Sequence, residues 1–600
     1  MFSSPTHLLA TAVALIVAGL EPTPSVRDAA DLVVIDGVVY TVDSTTPEVE
    51  AFAVRDGAIV ALGDSRTILE EHRGPLTRVL DLQGRTVIPG LIDAHAHVMG
   101  LGRALRSIDL VGTTRPEEIA LKVSAAVKGR PAGSWITGRG WDQNDWPEKE
   151  FPTHDVLDRA APDHPVWLTR VDGHAGWANA RAMELAGVTL ETPDPDGGRI
   201  VRDATGHPSG VFVDNAQGLI ARAIPVPDDA ERESRLAAAQ SRILEVGLTG
   251  VHDMGVNRPE LELYRRWADE GRLEFRVAAY LGSDRETLDW WEGGAWEGPA
   301  AAHPRLRVPG VKLYADGALG SRGAALLEPY SDDAGNRGLL VTPPDTLRDL
   351  VARALSLGLQ TAIHAIGDRG NRVALDAIEA SVAPVTADLH CTVSPTADGG
   401  GSAVCGTAAS VEQSDSRDAV PARPRIEHAQ VVALEDIPRF AELGIVASVQ
   451  PTHATSDMYW AEERVDPERI RGAYAWRKLR EAGALLACGS DFPVENPNPF
   501  HGLYAAVTRR DQEGWPEGGW YPEERMTREE ALACFTIDAA RAASTDDRVG
   551  SLAVGKRADF LVLDRDYFEI PDDEIWRIRV LRTVVDGETV YEAPASNAVP

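Results

Sequence analysis

Cysteine is scarce in this sequence, and positive charge is in deficit. Four cysteines in 600 residues are too few for a disulfide scaffold. We therefore interpret Cys488 and Cys534, which lie in apolar stretches, as ordinary core residues. Lys and Arg total 60 against 92 Asp and Glu, and the formal net charge is -32. Such a chain lacks the basic field that attracts phosphate groups, so we expect no nucleic-acid partner and no anionic membrane surface.

Long apolar segments are also missing. The apolar run from Leu8 to Leu20 is too short to span a bilayer, and no stable membrane span is predicted. Its length fits the core of a signal peptide, and Val17-Ala18-Gly19 supplies small residues for cleavage, although no Lys or Arg precedes the run. We interpret residues 1–30 as a signal peptide and linker. Export to the periplasm or the exterior is favoured, with a cytoplasmic location as the alternative.

The two ends of the chain share a β-rich pattern. Hydrophobic residues make up 44% of the sequence, which is enough for a large core. Alternating apolar residues turn at Asp36-Gly37 and Asp56-Gly57 near the start, and at Asp586-Gly587 near the end. Asp-Gly between alternating stretches is a strong hairpin signal. We therefore predict a small β-sandwich built from residues 31–88 and residues 549–595.

The middle of the chain, residues 89–548, alternates buried strands with amphipathic helices. The strand candidates are PVWLTRVDGH, GLTGVHDMG, RVPGVKLYADG, LQTAIHAIGD, PRIEHAQ, GIVASVQPTH and ALLACGSDFPV. This alternation predicts an α/β fold with a parallel sheet, most simply a (β/α)8 TIM-like barrel. In such a barrel the residues just after each strand form the catalytic face.

One segment, at about residues 383–423, departs from this alternation. It is rich in Ser, Thr, Gly, Ala and Asp, and we interpret it as a surface insertion between two barrel strands. The insertion contains Cys391 and Cys405. These cysteines would close a loop in an exported protein and would remain free thiols in a cytosolic one, and both alternatives stay open.

Histidines and an acid stand at the ends of several predicted strands. In VIPGLIDAHAHV, His95 and His97 are two residues apart, so their side chains share one face of a strand end. His364, His428 and Asp491 follow other strands. Each alone has an ordinary alternative, such as a hydrogen-bonded core histidine or a helix-capping aspartate. Together they predict a metal site, and imidazole and carboxylate ligands suit zinc or another borderline divalent ion.

The order of motifs resembles the amidohydrolase superfamily, in the branch of the N-substituted formamide deformylases and related metal-dependent hydrolases. The resemblance covers about Asp31 to Glu592, through VIPGLIDAHAHV, GWDQNDWP, RVDGHAGWAN, VKLYADGALGSRGA, HAIGDRG, RIEHAQ, GSDFPVENPNPF and GSLAVGKRADFLVLDRD. It implies a (β/α)8 barrel with a β-sandwich, and metal-dependent hydrolysis that usually cleaves a carbon–nitrogen bond. The insertion before His428 is a departure from the family pattern.

The resemblance also implies a ligand set for one or two divalent ions, with zinc as the expected metal. The implied ligands are His95 and His97 after the first strand, Lys312 on the fourth, His364 on the fifth, His428 on the sixth and Asp491 on the eighth. At the position of Lys312, members with two metals carry a lysine carboxylated by CO2. Burial in an apolar strand lowers the pKa of a lysine and frees its amine, and the carbamate is an anionic oxygen ligand. The alternative is an ordinary buried lysine paired with an acid such as Asp316.

These observations predict a metal-dependent amidohydrolase with a small-molecule substrate. Activated water would hydrolyse a non-peptide amide, a formamide or a cyclic amide. Asp491 would take the proton from water and return it to the leaving nitrogen. The alternatives are an ester, lactone or organophosphate hydrolase on the same site, and a non-catalytic amidohydrolase-like scaffold. A homo-oligomer is left open.

Some residues of the family-like motifs are candidates for substrate contact, namely Trp141, Asp142, His174 and Arg322. Packing is the alternative for these residues, and it is favoured for Trp177. His252 is interpreted either as a cavity residue or as a structural one. His453 receives no role.

Overall fold

The computed structural model describes residues 29–294, 296, 303–382 and 423–594, together with the backbone of residues 389–395 and 401–407. In chain order, the strands are β1 (Leu32–Ile35), β2 (Val38–Tyr40), β3 (Glu48–Val49), β4 (Ala51–Arg55), β5 (Ala58–Gly63), β6 (Arg78–Asp81), β7 (Thr86–Pro89), β8 (Leu91–Ala96), β9 (Ile108–Asp109), β10 (Ile136–Trp141), β11 (Val166–Arg170), β12 (Ala175–Ala178), β13 (Gly198–Arg202), β14 (Pro208–Asp214), β15 (Leu248–Val256), β16 (Arg276–Leu281), β17 (Leu306–Tyr314), β18 (Gln360–Ala365), β19 (Leu389–Pro395), β20 (Gly401–Thr407), β21 (Arg425–His428), β22 (Val446–Val449), β23 (Leu485–Cys488), β24 (Phe560–Leu563), β25 (Val580–Val585) and β26 (Glu588–Glu592). The α-helices are α1 (Ser65–His72), α2 (Val98–Ala104), α3 (Pro116–Ala126), α4 (Asp155–Ala160), α5 (Ala180–Ala186), α6 (Gly218–Ala221), α7 (Asp229–Glu245), α8 (Arg258–Asp269), α9 (Arg285–Glu292), α10 (Pro344–Ser356), α11 (Asp368–Val382), α12 (Ile437–Glu442), α13 (Pro451–Asp457), α14 (Ala461–Arg464), α15 (Trp476–Glu481), α16 (Pro499–Thr508), α17 (Arg528–Cys534) and α18 (Ile537–Ala542).

Eight parallel strands form the central sheet, in the order β8-β15-β16-β17-β18-β21-β22-β23. β8, β18 and β21 are buried along their whole length, as expected for parallel strands covered on both faces. The N–H of Asp491, just after β23, donates to the carbonyl of His95 (2.7 Å), and the N–H of His97 donates to the carbonyl of Phe492 (2.9 Å). These bonds join the first and last strands, so the sheet is a nearly closed barrel. The predicted (β/α)8 fold class is confirmed.

The unit β15–α8–β16 shows how the sequence builds one barrel repeat. Helix α8 begins where the side chain of Asn257 accepts the N–H of Glu260 (3.1 Å) in a capping box. Leu261, Tyr264 and Trp267 recur at helical spacing and are buried in the main core. The helix therefore packs on the sheet and returns the chain, so that β16 pairs in parallel with β15.

Both chain ends contribute to a β-sandwich. One sheet has the order β5-β4-β1-β6, and the other has the order β26-β25-β24-β7-β2-β3. In the second sheet the C-terminal strand β24 pairs with the N-terminal strand β7. The two sheets share one core, in which the rings of Phe52 and Phe560 lie 5.1 Å apart. The separate sheets from the chain ends agree with the predicted sandwich.

A further sheet lies between β8 and β15 in the sequence, and it was not predicted. It contains six strands in the order β13-β14-β12-β11-β10-β9. The run PVWLTRVDGH, predicted as a barrel strand, forms β11 of this sheet, whereas β16 takes a place in the barrel. The prediction is wrong because an apolar run has the same pattern in any buried sheet, and only tertiary contacts decide its neighbours.

Cys488 and Cys534 form a disulfide, with their Cα atoms 5.1 Å apart. Cys488 ends β23, Cys534 ends α17, and both are fully buried. The interpretation of both as unbonded core residues is therefore wrong. The two cysteines are 46 positions apart in the sequence, so only the packing of α17 on the eighth barrel strand brings them together.

Two predictions fall on parts of the chain without described side chains. The signal peptide lies outside the described residues. In the predicted insertion, β19 and β20 pair as antiparallel strands, but the bonding of Cys391 and Cys405 lies outside the described side chains. Across the described ranges, no helix is both long and apolar enough to cross a bilayer.

Candidate metal centre

The first and eighth strands bring two histidines and an aspartate to one point. His95 lies near the end of β8, and His97 follows it on the same face. Asp491 follows β23 and is tied to β8 through its backbone N–H. Its Oδ1 atom lies 3.5 Å from His95 Nε2 and 3.1 Å from His97 Nε2. Asp491 Oδ1 is buried without a hydrogen-bond partner, so a cation held among these three atoms would satisfy it.

The fifth and sixth strands add two further imidazoles. The ring of His428, at the end of β21, lies 4.8 Å from that of His95, and the ring of His364 on β18 lies 4.5 Å from that of His428. The four predicted histidines and Asp491 therefore lie together at the carboxyl ends of the barrel strands, and the burial of His95, His364, His428 and Asp491 leaves little competition from water.

Hydrogen bonds orient the imidazoles. The Nδ1 atoms of His95, His97 and His428 lie 2.7, 2.9 and 2.7 Å from Glu427 Oε2, the Met254 carbonyl and Gln450 Oε1. These oxygens can only accept, so each Nδ1 carries the proton and each Nε2 keeps its lone pair. His364 has the opposite arrangement, since its Nε2 lies 3.4 Å from the carbonyl of Gly317 and its Nδ1 is left with the lone pair. Such outer hydrogen bonds are typical of metal-ligating histidines.

Unpartnered buried atoms show that the cluster fits a cation. Asp491 Oδ1 and His453 Nε2 are buried without a hydrogen-bond partner, and His453 Nε2 lies 3.9 Å from Asp491 Oδ2. Leaving such atoms unpaired costs free energy, which coordination of a divalent ion would offset. His453, on α13, received no role from the sequence, because its proximity to Asp491 depends on packing between elements that follow the seventh and eighth strands.

Lys312 projects into the same cluster from the fourth strand. Its Nζ lies 3.2 Å from His95 Nε2, and burial lowers the pKa of Lys312 to about 8. Among the described residues it forms no ion pair. Asp316 instead accepts the backbone N–H groups of Ala325, Ile366 and Gly367 (2.8, 2.9 and 2.8 Å). The predicted alternative of a Lys312–Asp316 pair is therefore wrong.

A buried ion pair between Arg425 and Glu427 contacts the histidine cluster through His95. The Glu427 carboxylate, which accepts from His95, also accepts from Arg425 Nε (2.8 Å) and Nη2 (3.1 Å). Arg425 further donates to the carbonyl of Ala94 (2.7 Å) and lies 2.9 Å from His252 Nδ1. Both interpretations of His252 apply, since it belongs to this buried hydrogen-bond network and also lines a separate small cavity that none of the candidate ligands lines. Sequence reasoning missed Arg425 and Glu427, although two charges in the buried strand RIEHAQ were the available signal.

The cluster opens into two adjoining chambers of about 1030 and 500 Å3. His174, His364, His428 and Asp491 line both chambers. A substrate in either chamber can therefore reach the metal cluster. Two chambers of this size hold a small or medium organic molecule.

Two of the four predicted substrate contacts line the cavity. Asp142 lies in the larger chamber and pairs with Arg170. His174 lies at the junction, with its ring 4.9 Å from that of His364 and its Nδ1 2.7 Å from Asp214 Oδ1. Burial alone would lower the pKa of His174, but the hydrogen bond and charge of Asp214 outweigh it and raise that pKa.

The other two predicted contacts lie elsewhere. Trp141 is fully buried, donates to the carbonyl of Leu168 (2.8 Å) and packs 6.0 Å from the ring of Trp177 in the core of the inserted sheet. Arg322 pairs with Asp332 at 2.8 Å and lies outside both chambers. Neither Trp141 nor Arg322 lines the two chambers, so the structure gives no support to the substrate contacts predicted for them. A local motif does not reveal which neighbours cover its side chains.

Comparisons with a family model, with related sequences and with solved structures identify the family of this chain. The model of the Amidohydrolase family matches residues 78–591. The chain is 35% identical to Protein LONG AFTER FAR-RED 3 of Arabidopsis thaliana, over 95% of this chain and 93% of that protein. It is 31% identical to N-substituted formamide deformylase of Arthrobacter pascens, over 94% and 99% of the two chains. A solved structure of an uncharacterized metal-dependent hydrolase from Pyrococcus furiosus has 31% identity and a TM-score of 0.65, and the match covers 89% of this chain and 99% of that one.

The barrel, the sandwich and the converging histidines define a metal-dependent hydrolase. This chain belongs to the amidohydrolase family. Its activity is the hydrolysis of carbon–nitrogen bonds other than peptide bonds, and the alternative of a non-catalytic scaffold is not supported.

Proposed function

We propose that this chain hydrolyses a small amide, a formamide or a cyclic amide at the cluster around Asp491. One observation carries the proposal: the buried Oδ1 of Asp491 lies within 3.5 Å of two imidazole nitrogens that keep their lone pairs, and it has no hydrogen-bond partner. The ligands of this proposal are His95, His97, Lys312, His364, His428 and Asp491, and zinc suits their chemistry. A divalent ion held there would polarise the scissile carbonyl and lower the pKa of water.

Asp491 moves the proton in this proposal. The charge of a divalent ion bound beside Asp491 would favour its ionised form and keep the pKa of this carboxyl low. The carboxylate is thus ionised at neutral pH and can accept a proton from water. Because Asp491 lines both chambers, it can return that proton to the nitrogen of a bound substrate, which leaves poorly unless protonated.

Lys312 contributes a carboxylate ligand in the two-metal version of the proposal. A pKa of about 8 leaves part of the amine neutral near neutral pH, and only the neutral amine reacts with CO2. The carbamate would place anionic oxygens beside His95, whose Nε2 is 3.2 Å from Nζ. The lack of an ion pair to Lys312 among the described residues supports this role.

His174 orients the substrate. The Nδ1–H of His174 donates to Asp214 Oδ1 (2.7 Å between Nδ1 and Oδ1), and the raised pKa favours a second proton on Nε2, which can donate to a substrate carbonyl at the chamber junction. The name of the Arthrobacter pascens relative makes an N-substituted formamide a natural first substrate to test.

The test is a panel of N-formyl amines, N-acyl amino acids, cyclic imides and matched esters, with metal content measured on the same samples. We expect release of amine that stops after chelation and returns with zinc. Replacing His95 and His97 together with Ala should abolish this release, whereas His207→Ala should not, since His207 lies on a surface turn beside Thr205. Hydrolysis that resists chelation, or that is confined to the esters, would contradict the proposal.

We also propose that the protein is exported. The Cys488–Cys534 disulfide supports this, because disulfides persist mainly in oxidising compartments. Intact-mass measurement of the protein from its native host tests the idea. Cleavage near Gly19 is the expected result, and a mature chain that begins at Met1 or Phe2 would refute it.

A further inference from the structure

The smaller chamber contains two arginines without carboxylate partners. Arg139, on β10, donates from Nη2 to the carbonyl of Val171 (2.7 Å) and from Nε to that of Pro493 (3.3 Å), and it forms no ion pair among the described residues. Arg103, on α2, has neither a side-chain hydrogen bond nor an ion pair within the described part of the chain. Burial and, next, the charge of Arg103 lower the pKa of Arg139 to about 10, so both remain cations at neutral pH.

The acids that line the same chamber already have partners. Asp172 pairs with Arg170 (2.5 Å), and Asp214 binds His174 (2.7 Å). Asp253 accepts from the hydroxyl of Tyr264 (2.6 Å). Glu260 accepts the backbone N–H of the residue that caps α8 (3.2 Å), and Asp491 belongs to the metal cluster. Asp172 and Asp214 therefore have ion-pair partners, Asp253 and Glu260 are held by neutral donors, and Arg103 and Arg139 form no ion pair with any of these acids.

Nη1 of Arg139 makes no hydrogen bond among the described residues, and Nη2 bonds only the carbonyl of Val171. A Cβ placed on Gly173 would lie 3.5 Å from Nη1 and 3.6 Å from Nη2, so glycine at this position keeps a side chain from covering both nitrogens. The Nη1–Nη2 edge of a guanidinium binds a carboxylate in a bidentate manner. Arg139 also lines the larger chamber, next to His174 and Asp491, so an anion bound to it belongs to a molecule that reaches the metal cluster.

We propose that Arg139, with Arg103 beside it, binds a carboxylate of the substrate, and that the preferred substrates are N-formyl or N-acyl amino acids rather than neutral amides. This inference rests on the proposed C–N hydrolysis at the metal cluster, and it adds the acidic group that the substrate carries. Because the contact lies away from the bond that is cleaved, it contributes mainly to substrate binding, and its loss should raise KM more than it lowers kcat.

The test compares N-formyl-leucine with N-formyl-leucinamide on the metal-loaded enzyme. Both share the scissile formamide, so any effect on the metal or on Asp491 cancels in the ratio of their kcat/KM values. We expect the wild type to favour the acid by about 10- to 100-fold, which is the worth of a charge-assisted bidentate contact. Arg139→Gln should remove most of that preference, and Arg103→Gln should reduce it. Arg106→Gln is the matched control, because Arg106 pairs with Glu231 outside the chamber (3.4 Å) and should not move the ratio.

Three outcomes would overturn the inference while leaving the proposed function intact: no preference in the wild type, an equal loss for both substrates in Arg139→Gln, or an equal shift of the ratio in Arg106→Gln. If neither compound is hydrolysed, the proposed function fails for this class, and calorimetry still tests the subsite. The probes are then N-methanesulfonyl-leucine and its amide, in which a sulfonyl group replaces the formyl carbonyl that would be cleaved. Tighter binding of the acid that is lost in Arg139→Gln would support the subsite, and equal binding of acid and amide would reject it.

Discussion

Replacing Glu427 with Gln should affect metal binding and stability together. The carboxylate is fully buried, lies 2.7 Å from His95 Nδ1, and accepts two bonds from Arg425, which is also fully buried. Burial would raise the pKa of Glu427, but the charge of Arg425 outweighs it and holds that pKa far below its usual range, so the native group is a carboxylate. Gln keeps the shape of the side chain but removes its charge. Its amide NH2 group would replace one of the two acceptor oxygens, so a donor of Arg425 or His95 would lose its acceptor.

The expected magnitude follows from the burial of Arg425. Leaving a buried charge without its partner costs about 3–5 kcal/mol in the free energy of unfolding. Loss of the outer hydrogen bond to His95 should lower metal affinity by about 10- to 100-fold. The matched control is Glu262→Gln, since Glu262 forms a pair of similar length with Arg258 (2.9 Å) but both side chains are about half exposed, at 42% and 45%. That change should cost less than about 1 kcal/mol.

Urea denaturation of the metal-free, chelated proteins measures the loss of free energy of unfolding. Competition with a metal-sensitive dye measures the loss of metal affinity. Equal losses of stability in Glu427→Gln and Glu262→Gln would refute the argument from burial. Unchanged metal affinity in Glu427→Gln would show that the hydrogen bond from His95 Nδ1 to Glu427 is not needed to orient the imidazole for metal binding.

The remaining predictions concern the metal cluster itself. Asp491→Asn should stay folded and keep most of its metal while kcat falls by roughly 10²–10⁴, the usual worth of a positioned acid/base, and near-normal turnover would exclude that role. His95→Ala combined with His97→Ala should abolish bound zinc in atomic emission, and unchanged zinc would reject the ligand assignment. At a fixed concentration of dissolved CO2, reconstitution of the metal-free protein should become faster from about pH 7 to about pH 9, because the neutral fraction of Lys312 rises through a pKa of about 8. Lys312→Met should abolish that dependence, and a flat pH profile in the wild type would contradict carboxylation.

The barrel and its ring of candidate ligands were accessible from the sequence because they depend on local pattern. Side chains at positions i and i+2 of a strand share a face wherever the strand lies, so His95 and His97 could be paired before any fold was known. The carboxyl ends of parallel strands meet at one edge of the barrel, which predicts that His364, His428 and Asp491 join them. The Asp-Gly hairpins at the two ends of the chain marked the sandwich in the same local way.

Only the tertiary structure decided which partner each side chain meets. An apolar strand in the inserted sheet has the same sequence pattern as an apolar strand in the barrel. Trp141, which belongs to a motif predicted to contact the substrate, is buried because it packs against Trp177 in the core of the inserted sheet. The proximity of His453 to Asp491 and the bond between Cys488 and Cys534 likewise depend on packing between elements that are distant in sequence. Periodicity encodes which face of an element is apolar, whereas burial, charge pairing and disulfide formation depend on the segment that packs against that face.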